Sequence, residues 1–232
     1  MKNSVTHLIV VAHPDDEVLG FGAAGAKFAD QGDVVQTVFM CGEVDVRSNR
    51  PTDMQLANDI DRAFGILGFQ PAVFGSFPNI QMNTIPHIRM VQFIEAQIAT
   101  FKPQHIFTHH PGDLNDDHRQ TSHACLAASR LAQRRPNLAP PQSLHFMEIP
   151  SATDWAYRGG GPPFEPDEFV EIGQFLQLKL EALACYRDVM RPYPHPRSDA
   201  VIRGLAAVRG GQAGLRLAEA FQTAFSKRFN CN

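Results

Sequence analysis

Five consecutive apolar residues, Leu8-Ile9-Val10-Val11-Ala12, run without interruption into His13-Pro14-Asp15-Asp16-Glu17. A strand that is apolar at every position buries both of its faces, which is the pattern of a parallel sheet covered by helices on two sides. The polar cluster then falls at the C-terminal end of that strand. In an open parallel sheet this is where loops and helix N-termini converge and where ligands bind.

The rest of the chain continues the alternation that such a sheet requires. Glu17 to Gln31 is rich in alanine and glycine and ends at Gly32, as a helix packed closely on a sheet would, and Val34 to Cys41 follows as a strand. Thr52 or Asp53 can cap a helix to about Leu67, with Gly68 as its stop, and Ala72 to Phe74 makes a short third strand. Ile88, Val91, Ile94, Ile98 and Phe101 repeat at helical spacing behind Pro86, which suits a first-turn position. A strand from Gln104 to His109, a helix from Asp117 to Gln133 and a strand from Leu144 to Glu148 complete the pattern. It predicts one α/β domain over 1–232, a Rossmann-like three-layer sandwich with a mostly parallel sheet and right-handed crossovers. Val170 to Phe229 reads as mostly helical, broken by three prolines between Arg191 and Arg197, with Phe221, Phe225 and Phe229 as a helix packing face. Gly159-Gly160-Gly161-Pro162-Pro163 reads as a loop, since it has neither the preceding strand nor the following lysine of a phosphate-binding loop.

Charge narrows the class of partner. With 21 basic and 24 acidic residues, a formal net charge of -3 gives no electrostatic grip on nucleic acid or an anionic membrane, so a small molecule is the expected substrate. The apolar run behind Lys2 is too short for a signal peptide, and no other run approaches the length of a membrane span. Cys41, Cys125, Cys185 and Cys231 form no C-x-x-C pair, which argues against disulfides and thiolate zinc and for a reducing, cytoplasmic setting.

The chemistry concentrates in two clusters at strand ends: His13-Pro14-Asp15-Asp16, and His109-His110-Pro111-Gly112-Asp113-Leu114-Asn115-Asp116-Asp117-His118. A catalytic zinc takes about three nitrogen or oxygen ligands and keeps a position open for water. His13, Asp16 and His118 would provide that set, with Pro14 stiffening the turn that aims the first two. Asp15, not needed as a ligand, is then available as general base toward a water whose acidity the metal raises. The plain alternative is a solvated turn and a helix cap, with Asp117 merely starting its helix. Placement of both clusters at strand ends favours the site. His13, Asp15 and a distant histidine also fit the two-histidine, one-carboxylate set of non-haem iron oxygenases, which the alternation of strands and helices argues against.

Ala12-His13-Pro14-Asp15-Asp16-Glu17 resembles the AHPDDE signature of the LmbE/PIG-L family of zinc-dependent deacetylases. Asp117-His118 is similar to the family's late Asp-His pair and Leu67-Gly68 to its helix-ending Leu-Gly. Glu148-Ile149-Pro150-Ser151, Pro194-His195-Pro196-Arg197-Ser198 and Ala218-Glu219-Ala220-Phe221 resemble weaker stretches of bacterial members. The resemblance implies Zn2+, or another divalent metal such as Fe2+, on His13, Asp16 and His118, with Asp15 as base. It further implies removal of acetyl from an N-acetylated amino sugar, free, nucleotide-linked, lipid-linked or glycosidic, by a homo-oligomer. Three positions depart from the family pattern. Asn115 stands where many members have a histidine that assists the tetrahedral intermediate, Asn79 where many have an aspartate, and Leu56 where many have an arginine. His110 is then a candidate to replace the missing histidine. Arg47, Arg50, Asn79, Asp113, Asn115, His195 and Arg197 are candidates for substrate contacts. With Asn115 in place, a non-catalytic sugar-binding protein is the competing possibility.

Overall fold

The computed structural model describes residues 4–43, 52–159 and 161–228. In chain order the elements are β1 (Thr6–Val11), α1 (Asp16–Asp30), β2 (Val34–Glu43), α2 (Asp53–Leu67), β3 (Val73–Pro78), α3 (His87–Phe101), β4 (His105–His109), α4 (Asp116–Ala128), α5 (Leu131–Arg134), β5 (Ser143–Met147), β6 (Glu168–Glu171), α6 (Leu176–Cys185), α7 (Asp199–Ala213) and β7 (Ala218–Ser226). The seven strands form one sheet in the order β3-β2-β1-β4-β5-β7-β6. β1 to β5 are mutually parallel, while β7 runs antiparallel to both β5 and β6. The chain winds from β1 to one edge and then returns to β4 on β1's other side. That reversal opens a crevice at the carboxyl ends of β1 and β4.

The unbroken apolar run is explained by the two cores. Ile9 and Val11 face one, under α1, α2, α6 and α7, whereas Leu8, Val10 and Ala12 face the other, under α3 and α4. The helix signals act as their chemistry predicts. Thr52 caps α2 in a reciprocal capping box with Gln55, Gly68 ends it at φ 74°, and Pro86 occupies the position just before α3. The predicted helix from Asp117 is interrupted at Ser129 and Arg130, leaving α4 and the short α5.

The tail corrects the sequence expectation. Ala218 to Ser226 is not helical but forms β7, with β6 pairing along it. Phe221 and Phe225, four apart, fit a helix face and a strand face equally, since four is close to one helical turn and also an even number of strand positions. Neither single face applies. The pairing skips a residue of β7 between Phe225 and Thr223, so Phe221 packs in the core under α1 and Phe225 in the other. Phe229 lies outside the described residues. No helix among the described residues is long and apolar enough to cross a membrane.

Two features fix α1, the helix that follows the His-Pro-Asp-Asp turn. Gly20 lets it lie directly on the end of β5, where a Cβ would stand 2.7 Å from Ile149 Cδ1. Glu219 of β7 accepts the Ala23 and Ala24 amides at 3.2 and 2.7 Å, and buried Lys179 of α6 donates to Glu219 Oε1 and to the Leu19 carbonyl, both at 2.7 Å. Glu219→Ala should destabilise the fold by about 3–5 kcal/mol by leaving the Lys179 charge buried alone. Adding Lys179→Met should recover most of that loss in urea unfolding, and a double variant no more stable than the single one would contradict the pairing.

At the opposite end of the sheet His7 stacks on His105, and both His105 and His145 hydrogen-bond Ser143 Oγ. Burial first, then the neighbouring His7 and His145, push His105 down from 6.5 to about 4. The unfolded chain therefore takes up this proton at higher pH than the folded one, so its stabilisation is complete above pH 6.5 and is lost as pH falls toward 4. His105→Gln should flatten the pH dependence of urea unfolding in that window. An unchanged slope would assign the acid sensitivity elsewhere.

Candidate metal centre

β1 and β4 are joined at their ends by residues of the two candidate clusters. The Ala12 amide donates to His109 Nε2 at 2.8 Å, and the chain then turns so that the Asp16 amide donates to the His13 carbonyl at 3.3 Å. Asp15 at the top of the turn has φ 111°, a conformation that costs a non-glycine residue about 1–3 kcal/mol. Several contacts hold it there. Its amide donates to Glu17 Oε2 at 3.0 Å, its carbonyl accepts from Val18 and Leu19, and Arg197 Nη1 donates to its Oδ2 at 3.0 Å. Arg197 is itself held by Pro150 O and Ser151 Oγ, which its Nε reaches at 3.3 and 2.9 Å.

Asp16 Oδ2 is the focus of the site. His13 Nδ1 lies 3.3 Å from it, His118 Nε2 3.2 Å and His109 Nε2 3.6 Å, and the His13 amide donates to it at 3.0 Å. The two outer imidazoles are each fixed through their far nitrogen. His13 Nε2 is 3.0 Å from Asp117 Oδ2, and His118 Nδ1 is 2.9 Å from Asp113 Oδ2. Asp117 also accepts the amides of Ile80 and Met82, which ties the loop after β3 to the site. A carboxylate behind a metal-binding histidine sets the tautomer and turns the other nitrogen toward the ion.

Electrostatics follow from this packing of buried charge. Burial opposes a charged His118, but the Asp16 carboxylate and hydrogen bonds to Asp113 and Asp16 outweigh it and push the ring up to about 10. Burial likewise opposes a charged Asp16, yet the His118 and His109 rings hold its carboxyl well below the usual range. Glu17 is wholly buried, and burial pushes it up to about 8 despite its hydrogen bond with the Tyr186 hydroxyl.

Among the described residues two groups could hold a metal ion: His13, Asp16 and His118, and His109, Asp113 and His118. The first fits better. Its imidazole nitrogens already converge on one carboxylate, while in the second His109 Nε2 accepts the Ala12 amide and Asp113 is engaged with His118 Nδ1. Two imidazoles and a carboxylate are a donor set suited to zinc and to other divalent metals.

The other candidates are distributed as follows. Asp113 is wholly buried and orients His118. Asn115 is the N-cap of α4, where its Oδ1 accepts the Asp117 amide, so Asp117 is not the cap. His110 meets the rings of Phe146 and Phe164 edge-on, with Nδ1 accepting the Gly112 amide. Asn79 is buried in the loop after β3, and His195 Nδ1 accepts the Arg197 amide within the turn the two residues share. Arg47 and Arg50 lie outside the described residues. Sequence reasoning missed the bracing role of Glu17, the placement of Asp117 behind His13, and Tyr186. The spacing of Asp117, one residue before a candidate ligand histidine, carried a usable signal, whereas Tyr186 is distant in sequence and carried none. Asp113→Asn should weaken zinc binding by about 10- to 100-fold with the fold intact. Competition with a chromogenic chelator measures it, and unchanged affinity would remove Asp113 from behind His118.

The comparisons agree with this architecture. No curated protein matches the chain in sequence. A conserved protein from Thermus thermophilus superposes with a TM-score of 0.76 at 22% identity, covering 96% of both chains. N,N'-diacetylchitobiose deacetylase from Pyrococcus horikoshii does so at 0.74 and 19% identity, over 96% of this chain and 84% of that one. The 4-carboxy-2-hydroxymuconate hydratase from Pseudomonas putida reaches 0.77 at 19% identity, over 98% of this chain and 99% of that one. Such identities establish a shared fold. The model of the PIG-L family, described as GlcNAc-PI de-N-acetylase, matches residues 8–129, more than half of the chain and nearly the whole span from β1 through α4 that carries the site. The chain belongs to the PIG-L family.

Proposed function

We propose that the protein is a divalent-metal-dependent deacetylase that removes the acetyl group from an N-acetylated amino sugar. The observation that carries this is the convergence of His13 Nδ1 and His118 Nε2 on Asp16, with Asp15 beside them and turned by Arg197. His13, Asp16 and His118 would hold zinc, which when bound polarises an amide carbonyl and makes a water more acidic.

The chain's own groups supply the proton chemistry. Asp15 accepts a proton from the attacking water and returns it to the departing amine, so acetate and a free amino sugar result. Arg197 keeps the Asp15 carboxylate in one orientation during both transfers. Asn115 uses its Oδ1 as a cap, which leaves its amide nitrogen as the group that can donate to a developing oxyanion. Asn79, His195 and, outside the described residues, Arg47 and Arg50 are the candidates for sugar hydroxyls.

The hydratase of the same fold shows why fold alone does not select this reaction. Acetate release does, because hydration liberates none. The zinc-loaded protein should release acetate from at least one of a panel of free, nucleotide-linked and glycosidic N-acetyl amino sugars. Asp15→Asn should keep the metal and lose about 10²- to 10⁴-fold in rate. Near-wild-type turnover by that variant would sink the assigned base, and no turnover of any sugar by the native protein would favour a binding role.

A further inference from the structure

His109 stands inside the candidate metal centre without belonging to the favoured ligand set. It is the last residue of β4 and is wholly buried. Its Nε2 lies 3.6 Å from Asp16 Oδ2, a separation close to the 3.2 and 3.3 Å of His118 and His13. The lone pair at that nitrogen is nevertheless committed, because it accepts the Ala12 amide at 2.8 Å. An imidazole nitrogen that accepts a hydrogen bond has no second pair for a metal. The contact that brings the ring to the site thus also keeps it out of the ligand set.

Two ligands from different elements meet at this ring. Ala12 directly precedes His13, so its bond to His109 anchors the backbone from which the first ligand projects. The pairing of β1 with β4 extends to Val10 and Thr108, and beyond it the imidazole continues the link between the two strand ends. On its face His109 carries His118, with ring centroids 3.8 Å apart and planes inclined at 15°. Behind that ring Asp113 holds His118 at Nδ1. A bond to one ring nitrogen sets the tautomer but leaves the ring free to tilt about the bond, and a flat ring packed on its face removes the tilt. His13 and His118 come to rest with centroids 5.5 Å apart and planes inclined at 45°, each with a nitrogen within 3.3 Å of Asp16 Oδ2.

We propose that His109 is a positioning residue of the metal centre: bonded to the strand end that carries His13 and stacked on His118, it fixes the separation and tilt of the two ligand rings without itself taking up the ion. The proposal rests on the reading of His13, Asp16 and His118 as metal ligands given above and is independent of the substrate. It differs from the second possible group, His109, Asp113 and His118, in which the same ring would be a ligand.

The test separates the two contacts. His109→Phe keeps the ring and loses the acceptor for Ala12, His109→Gln keeps an acceptor and loses the ring, and His109→Ala loses both. Zinc affinity of the full chain, measured by competition with a chromogenic chelator, should fall about 10- to 100-fold in His109→Ala, with smaller losses in His109→Phe and His109→Gln. Urea unfolding of the metal-free proteins, followed by circular dichroism, checks that the variants compared are folded. Should His109→Ala not fold, the two single-contact variants carry the comparison. At saturating cobalt(II), whose visible absorption follows ligand set and geometry, His109→Phe should retain the native bands, because no ligand has been lost. Native affinity in either His109→Phe or His109→Gln would overturn the positioning role, since one contact would then suffice. Bands lost from saturated His109→Phe, or metal binding abolished by that change as fully as by His13→Ala, would make His109 a ligand and overturn the role likewise. Acetate release is not among these readouts. A chain that yields no acetate from any sugar yet shows the graded affinities loses the deacetylase function and keeps the positioning role, whereas a native chain that binds neither ion overturns the metal centre and the role of His109 with it.

Discussion

The Asp16 carboxylate is shut away from water and faces two imidazoles, and the arrangement around it is what the rest of the site must satisfy. An ionised carboxyl in such a place is tolerated only when it is paired and hydrogen-bonded. The His13 amide and the His13 and His118 rings meet that demand. The imidazoles in turn need partners, which brings Asp113 and Asp117 inward. Asp117 needs donors of its own, and the Ile80 and Met82 amides provide them. One buried charge thereby organises the ends of β1 and β4 and the loop after β3.

Precision at the ends of strands depends on how the first helix is seated. α1 begins at Asp16, so any change in its angle moves a proposed ligand. Contact with β5 through Gly20 sets its distance from the sheet, and the Lys179–Glu219 pair fixes its middle to α6 and β7. The Lys179 and Glu219 contacts come from 160 to 196 residues away along the chain. Their contacts with α1 make the C-terminal third part of the foundation of the candidate site.

Much of this was legible in the sequence because it was encoded locally. The run Leu8 to Ala12 identified a doubly buried strand, Thr52 and Gly68 bounded α2, and the two polar clusters fell at the strand ends where the structure has them. What escaped was encoded by pairing at a distance. Ala218 to Ser226 has the composition of a helix or a strand, and only the open edge of β5 decides for a strand. The acidic run Asp113 to Asp117 stood out as a candidate for the site, but not which carboxylate stands behind which ring. Asn115 takes the capping position in that loop, which frees Asp117 to turn toward His13. Glu17 read as a helix start, and its partner Tyr186 lies 169 residues away.

The same pairing bears on how the site would exchange protons for a cation. The His118 ring, pushed up to about 10 by its anionic surroundings, holds a proton at neutral pH on a nitrogen lone pair that a metal would need. Metal uptake must therefore release a proton, and affinity must fall as pH falls. The carboxylates that strengthen proton binding strengthen metal binding for the same electrostatic reason, so a high imidazole pKa here is the mark of an anionic cage suited to a cation. Asp15 is outside that exchange in one respect: its compensating charge is Arg197, which belongs to the protein and stays when the proton on His118 leaves. Separating the two compensations would allow the proposed ligands to trade proton for metal while the proposed base keeps its orientation.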